Sequence, residues 1–412
     1  MIQSLSEADK KDLLDLLTRL VAIESVNRDP QTSRRTRPEE RIAAFVTEHL
    51  RSMGMVVEAR EMEPGRPNLI AHWPDQGAAG APSLMLNAHL DTVPVDGMTV
   101  NPFNVTIRDG RAYGRGTCDT KGSMAAFLTA LAIARREGAL PSDKLYFVAT
   151  VAEETCCQGA AALMASGFRT DAAIVGEATG CRVVTSHKGP LWLTIETHGR
   201  ACHASMPHLG VNAIEIMSRV VQFVHGPAWQ GRIKRSSHPL LGESTMSVTT
   251  IEGGAKINII PDTCRIQIDG RLVPSEPANQ MAADFRRMLA EHLAQSGLQP
   301  SAAGDINKSG LFSIVREEAY PPLDCSPDAP VARRLGEICR EFNGQPGPLG
   351  VNYFADTGPF NQAGIDAVLF GPGDIAQAHT VDEYIELEQL YQAAEIILTL
   401  LTRHAGRSIL RG

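Results

Sequence analysis

Beyond one short arginine-rich piece between Asn27 and Pro38, no lysine- or arginine-rich tract occurs in the 412 residues, and the formal net charge is −8. A protein that grips a phosphate backbone needs a basic face, so nucleic acid is excluded as the expected partner. No apolar run approaches the ~18 residues of a membrane-spanning helix, which excludes a membrane partner of that kind. The stretch Met1 to Lys10 is polar and acidic, and lacks the charged start, apolar core and small-residue cleavage site of a secretory signal. A cytoplasmic location is the expectation. There is no C-x-x-C among Cys118, Cys156, Cys157, Cys181, Cys202, Cys264, Cys325 and Cys339. Adjacent Cys156 and Cys157 are poor material for a disulfide scaffold, so reduced thiols are expected. Cys118, Cys156 and Cys157 fall beside acidic motifs, where packing as small apolar residues outweighs metal binding. Internal repeats and low-complexity tracts are also absent.

What is present is the composition of a soluble globular chain, 43% hydrophobic and 21% charged. At about 150 residues per domain, the length predicts two or three domains. Leu13, Leu14, Leu17, Leu20 and Val21 recur at helical spacing within 5–25, and a second helix covers 39–53. The polar piece from Asn27 to Pro38 joins them as a loop. Strands follow at Val56–Ala59, Asn68–Ala71 and Ser83–Asp91, then a turn-rich segment from Thr92 to Gly110. Tyr113 to Asp119 leads into a helix at 122–137. A strand opening at Lys144 and another at Asp171–Gly176 complete an alternation that predicts an α/β sheet covered on both faces. From Lys188 the pattern changes to strand 190–198, helix 210–225, strands 244–252 and 262–273, helix 277–295 and strand 311–319. That β-α-β-β-α-β order is the ferredoxin-like module. The chain returns to α/β character with a helix at 329–342, strand Ala367–Phe370 and a helix at 384–403. The fold class expected is α/β, a mixed central sheet with flanking helices, formed by 1–187 and 326–412. An α+β domain, 188–325, is inserted into it.

The apolar run from Lys144 ends in Glu153 and Glu154. Paired carboxylates at a strand end invite a cation or acid/base work, because carboxylates are costly to bury unmatched. The plainer alternative puts both in a solvated loop. His89, Asp119, Glu154, Glu177 and His379 each lie just past a predicted strand or in the loop that follows it. Ligand sites of open α/β sheets lie outside the carboxyl ends of the strands, so these five can converge. Two histidines with three carboxylates suit zinc, cobalt or manganese better than calcium. Asp91, two residues beyond His89, is placed to accept the other ring N–H and orient the imidazole, or else it is a turn residue before Pro94. Asp119 by itself reads equally as a helix N-cap. Thr380 and Glu383 fit a capping box for the last helix, leaving His379 as the ligand candidate. Adjacent residues on an extended chain point to opposite sides, so Glu153 and Glu154 can have different tasks.

Taken in order, Ala88-His89-Leu90-Asp91-Thr92-Val93-Pro94, Gly114 to Gly122, Glu153-Glu154-Thr155, Gly176-Glu177-Ala178 and Ala378-His379-Thr380-Val381-Asp382-Glu383 resemble the M20 metallopeptidase/deacylase family. The match spans nearly the whole chain. The resemblance implies a two-metal catalytic domain, made by 1–187 and 326–412, interrupted by a lid or dimerisation domain at 188–325. It makes Asp119 the carboxylate bridging two divalent ions, zinc with cobalt and manganese as alternatives. His89 and Glu177 would hold one ion, and Glu154 and His379 the other. Asp91 orients His89, and Glu153 is the general base.

Within the inserted domain, Gly199 to Ala213 resembles the family segment whose histidine reaches the partner subunit's active site. His203 occupies that position, and the resemblance makes it a hydrogen-bond donor to the developing oxyanion of a homodimer. Asn258 and Arg271 fit the family's substrate-side loops as binders of a substrate carboxylate. For Arg271 an ion pair with Asp262 or Asp269 is the plainer reading. Ser186-His187-Lys188-Gly189 and Gly371 to His379 look most like the acetylornithine deacetylase subgroup. The implied activity is a metal-dependent amidohydrolase acting on a small N-acyl-amino acid. Succinyl-diaminopimelate desuccinylase, a broad aminoacylase or a dipeptidase are alternatives of the same chemistry, and a non-catalytic metal-binding homologue is one of another class. Cys118, Cys156, Cys157 and Met98-Thr99-Val100 depart from common family forms.

Overall fold

The computed structural model describes residues 3–27, 38–295, 310–344 and 347–411. Most of the expected loop between Asn27 and Pro38 lies outside them. The chain divides into two compact units: Met1–Ser186 with Leu323–Gly350 and Ala355–Gly412, and His187–Pro322 with Val351–Phe354.

In the first unit, Ser83–His89, Lys144–Thr150 and Ala172–Val175 are short runs of apolar and β-branched side chains, almost wholly buried. Runs that are apolar at successive positions suit strands covered on both faces, and parallel strands are of that kind. Lys144–Thr150 and Ala172–Val175 flank Ser83–His89 in parallel, and Asp366–Leu369 adds a fourth parallel strand beside Ala172–Val175. Val56–Glu63 and Arg66–His72 extend the sheet antiparallel beyond Lys144–Thr150. The result is a mixed sheet of nine strands among the described residues. Parallel strands end on one edge, so the residues that follow His89, Thr150, Val175 and Leu369 are delivered to the same side of the sheet.

Helix Lys121–Arg136 is buried along nearly its whole length. Its alanines at 125, 126, 130 and 134 present little bulk, and helices Glu7–Val21 and Leu387–Arg403 pack against it. Glu7–Val21 begins where sequence logic puts it, with a capping box between Ser6 and Asp9.

The segment expected to be only turns, Thr92–Gly110, contributes a strand, Thr106–Arg108, which pairs with Arg111–Tyr113. Tyr384–Glu386 pairs on the other side of Arg111–Tyr113. The backbone of 384–386 is thus committed to a three-stranded sheet, and the last helix starts at Leu387 rather than 384. No side-chain cap closes its first turn, so the capping box expected of Thr380 and Glu383 does not form.

The second unit is built on Gly189–His198, Thr245–Gly253, Thr263–Leu272 and Phe312–Ala319, all antiparallel. Numbered by appearance, the four strands lie in the order 2-3-1-4, which with helices Ala213–His225 and Ala278–Gln295 is the ferredoxin-like arrangement. Burial alternates strictly along Thr263–Leu272 until its last residues. Ile266 and Ile268 join Leu193 and Ile195 in one core with Phe223, Trp229 and Phe285. The sequence pattern did not anticipate helix Pro227–Ile233 or the two-stranded pairing of Cys202–His203 with Ile259–Ile260. No described helix is long and apolar enough to cross a membrane.

Candidate metal centre

His89 closes its strand with a buried ring. Its Nδ1 lies 2.9 Å from the backbone oxygen of Asp91 and 3.6 Å from Asp91 Oδ1. A carbonyl oxygen only accepts, so Nδ1 carries the proton at this contact and Nε2 is the nitrogen turned toward the acids. Asp91 therefore orients the imidazole chiefly through its main chain, whereas sequence reasoning assigned that task to its carboxylate. The carboxylate has other partners: it accepts from Asn27 Nδ2 at 2.7 Å and from the backbone N–H groups of Glu153 and Glu154, each at 3.1 Å. Asp91 is in this way a tether for the acidic doublet as well as for His89.

Asp119 stands between the two histidines. One oxygen is 2.9 Å from His89 Nε2 and the other 3.3 Å from His379 Nε2. On the His89 side, Glu177 Oε1 lies 3.8 Å from Nε2, and on the His379 side Glu154 Oε2 lies 3.1 Å from Nε2. The acids are nearly enclosed, while the His379 side chain is 54% exposed and forms the open rim.

The loop carrying Asp119 is held from behind by Glu383. Its carboxylate accepts from the backbone N–H groups of Gly116, Cys118 and Asp119 at 2.8–3.0 Å, and from Arg115 Nη1 at 2.7 Å. Gly116 adopts φ 86°, and a Cβ there would come within 2.9 Å of the Lys121 side chain, so glycine is required. Glu383, read from sequence as a helix cap, caps this loop instead. Arg115, Asn27 and Asp356 also went unassigned in the sequence. Buried Asp356 accepts from Thr150 Oγ1 at 2.5 Å and shares a cluster with Glu153 and Cys157.

Glu153 and Glu154 diverge, but not by strand alternation. The strand ends at Thr150, and Ala152, Cys156 and Cys157 have positive φ, so the doublet sits in a tight turn. That turn brings Glu153 within 4.8 Å of His89 and Glu177, and Glu154 within 4.8 Å of His89 and Asp119, ligand atom to ligand atom.

Charge is badly matched within this group. Burial pushes Glu153 and Glu177 well above the ordinary carboxylate range, reinforced for Glu177 by the charge of Asp119. Burial and Asp119 raise Glu154 to about 7. Burial also opposes the ionised form of Asp119, yet hydrogen bonds from His379 and His89 outweigh it and hold Asp119 low. Hydrogen bonds to Asp119 and Glu154 raise His379 to about 10. Buried acids that climb in this way are stabilised by cations. Glu154 Oε1 is buried without a hydrogen-bond partner, an acceptor left for a cation or a proton. The donor set of imidazole and carboxylate fits zinc, cobalt or manganese, and the residues fit a pair of such ions sharing Asp119.

Of the remaining candidates, all in the second unit, His203 and Asn258 are neighbours. His203 pairs with Ile259, and the Ala204 N–H donates to Asn258 O at 3.0 Å. The exposed His203 ring lies 2.7 Å from Ser205 Oγ. Arg271 is in the four-stranded sheet, ion-paired to Asp269 at 3.0 Å and over the Phe354 ring at 5.7 Å. Of its two suggested acidic partners, Asp269 is the one engaged. All eight cysteines are present as thiols.

Residues 85–403 match the family described as Peptidase family M20/M25/M40. An acetylornithine deacetylase of Vibrio parahaemolyticus is 31% identical over 360 residues, 86% of this chain and 89% of that protein. Among solved structures, a tripeptidase of Staphylococcus aureus superimposes with a TM-score of 0.77 at 22% identity, covering 98% of this chain and 99% of the other. A dinuclear metal-binding M20 peptidase of Bacillus subtilis gives 0.66 at 15% identity, covering 96% and 99%.

Proposed function

The chain belongs to peptidase family M20/M25/M40, and on that premise we propose that it is a two-metal amidohydrolase releasing the acyl group from an N-acyl-amino acid. The observation that carries the two-metal reading is Asp119, with one carboxylate oxygen toward His89 and the other toward His379. His89 and Glu177 would hold one divalent cation and Glu154 and His379 the other, with Asp119 within reach of both sets. Bound there, such cations would polarise the scissile carbonyl and acidify water.

The chain's own groups do the rest. Glu153, enclosed and next to the ligands without being needed as one, accepts a proton from water as the C–O bond forms. It then returns that proton to the amine nitrogen as the C–N bond breaks. Asp91 fixes the approach of Glu153 through the 3.1 Å backbone contact. His203 donates a hydrogen bond to the oxyanion of a partner subunit's site, in a homodimer formed through the second unit. Asn258 and Arg271 receive the substrate carboxylate, Arg271 with its guanidinium pre-set by Asp269. The ions are zinc, with cobalt or manganese as substitutes, and the enzyme works in the cytoplasm.

An acetylated amino acid is favoured over a dipeptide by the acetylornithine deacetylases among the relatives. The test is hydrolysis of N-acetylornithine, N-acetylcitrulline, N-acetylmethionine and N-succinyl-diaminopimelate with zinc, cobalt and manganese. Release of ornithine fastest supports the reading, and equal inactivity on all four overturns it and favours a dipeptidase. For His203, a mixed dimer of His203→Ala and Glu153→Ala chains regains activity if the histidine is shared, and regains none if it is not.

A further inference from the structure

Next to Glu153 lies a second buried cluster that the reaction scheme leaves unused. Cys157 Sγ is 3.6 Å from Glu153 Oε1, and with Glu153 ionised, as a general base must be, the thiol is the donor. Glu153, Cys157 and Asp356 bring their polar atoms within 4.8 Å of one another, all three buried. Asp356 is anchored on one oxygen by Thr150 Oγ1 at 2.5 Å, and its other oxygen is buried with no hydrogen-bond partner. Thr150 is the last residue of the strand that leads to Glu153, so the anchor and the base move together.

We propose that Cys157 and Asp356 are positioning residues for Glu153. The thiol fixes Glu153 Oε1, leaving Oε2 as the oxygen that faces water. Asp356 stands beside the thiol and keeps Glu153 from turning into the space around Cys157. A thiol suits this place. It is small enough for a fully enclosed site, and burial beside Glu153 and Asp356 pushes it well above the ordinary thiol range, so it remains a donor and does not add another negative charge. The role rests on Glu153 being the general base, as proposed above.

Two measurements separate this inference from that reading. The first needs no turnover. The S–H stretching band of Cys157, taken from the infrared difference between wild type and Cys157→Ala, is expected at lower frequency than a non-donating thiol. It is expected to shift upward in Glu153→Ala. A band unmoved by Glu153→Ala overturns the contact, whatever the enzyme hydrolyses. The second is kinetic. Cys157→Ala and Asp356→Asn are expected to lower kcat roughly tenfold to a hundredfold, the scale of a misplaced catalytic group, with KM within about twofold and metal per chain unchanged. Cys157→Ser, which keeps a donor, is expected to recover most of the kcat lost in Cys157→Ala. Wild-type kcat in Cys157→Ala, or loss in Cys157→Ser equal to that in Cys157→Ala, overturns the positioning role. If wild type hydrolyses nothing offered, the functional reading falls and the infrared result still decides the contact.

Discussion

Glu383 holds the backbone of Asp119: Oε1 accepts the Asp119 N–H at 3.0 Å, while Oε2 accepts from Arg115 at 2.7 Å. The two acids are far apart in sequence and carry the same charge, yet one fixes the other because their meeting is carboxylate to amide.

Glu383→Ala would strip Arg115 of its buried partner and three N–H groups of their acceptor. Breaking a buried ion pair from one side costs about 3–5 kcal/mol. Denaturant unfolding should register that loss, and metal retained per chain should fall because Asp119 is no longer fixed. An unchanged midpoint would remove Glu383 from the supports of the site.

Glu153→Gln should reduce turnover about 10³-fold with metal content by elemental analysis at the wild-type level. Glu154→Gln should instead lose metal. If the two variants exchanged behaviours, the base and the ligand would have to be exchanged as well, which the shared closeness of both to His89 makes a real contest.

Chelation leaves Asp119, Glu153, Glu154 and Glu177 close together with only the rings of His89 and His379 to offset them. The melting temperature should fall on dialysis against a chelator and recover with added zinc, cobalt or manganese. At one hundred times its dissociation constant, a bound cation stabilises by about 2.7 kcal/mol. A melting temperature indifferent to all three would deny the metal a place in the folded state.

His187, in the second unit, supplies a pH dependence separate from the metal. It is fully buried, with Nδ1 donating to Lys188 O at 3.0 Å, and burial lowers it to about 4. A histidine depressed in the folded state contributes stability that is present above its unfolded value of about 6.5 and lost as pH falls toward about 4. The difference corresponds to about 3 kcal/mol. His187→Asn keeps a donor near Nδ1 and cannot titrate, so its unfolding free energy should be flatter than that of wild type between pH 6.5 and 4. Parallel curves would count against the assignment.

The carboxyl ends of the apolar strands were legible because continuous apolar runs define buried strands, and buried parallel strands share an edge. His89, Glu154, Glu177 and His379 followed from that rule, whereas Asp119 follows Arg111–Tyr113 of a separate antiparallel sheet; all five meet in the structure. Glu383 was misread because a capping box and a loop-clamping carboxylate look alike in sequence, and only the pairing of Tyr384–Glu386 with Arg111–Tyr113 separates them. The divergence of Glu153 and Glu154 was expected for the wrong reason: positive φ at Ala152 and Cys157, not strand alternation, turns them apart. Asp356 was invisible because it follows no apolar strand. It stands at the start of the short helix Thr357–Gln362, where an aspartate is unremarkable.

The first unit is assembled from pieces on both sides of the second, and His379 belongs to the last piece. A ribosome therefore releases His89, Asp119, Glu154 and Glu177 long before their final companion. The second unit, nearly all of it one uninterrupted run from His187 to Pro322, is complete in the interval and free to fold first. During synthesis the nascent chain carries a half-built acidic cluster until the segment bearing His379 emerges.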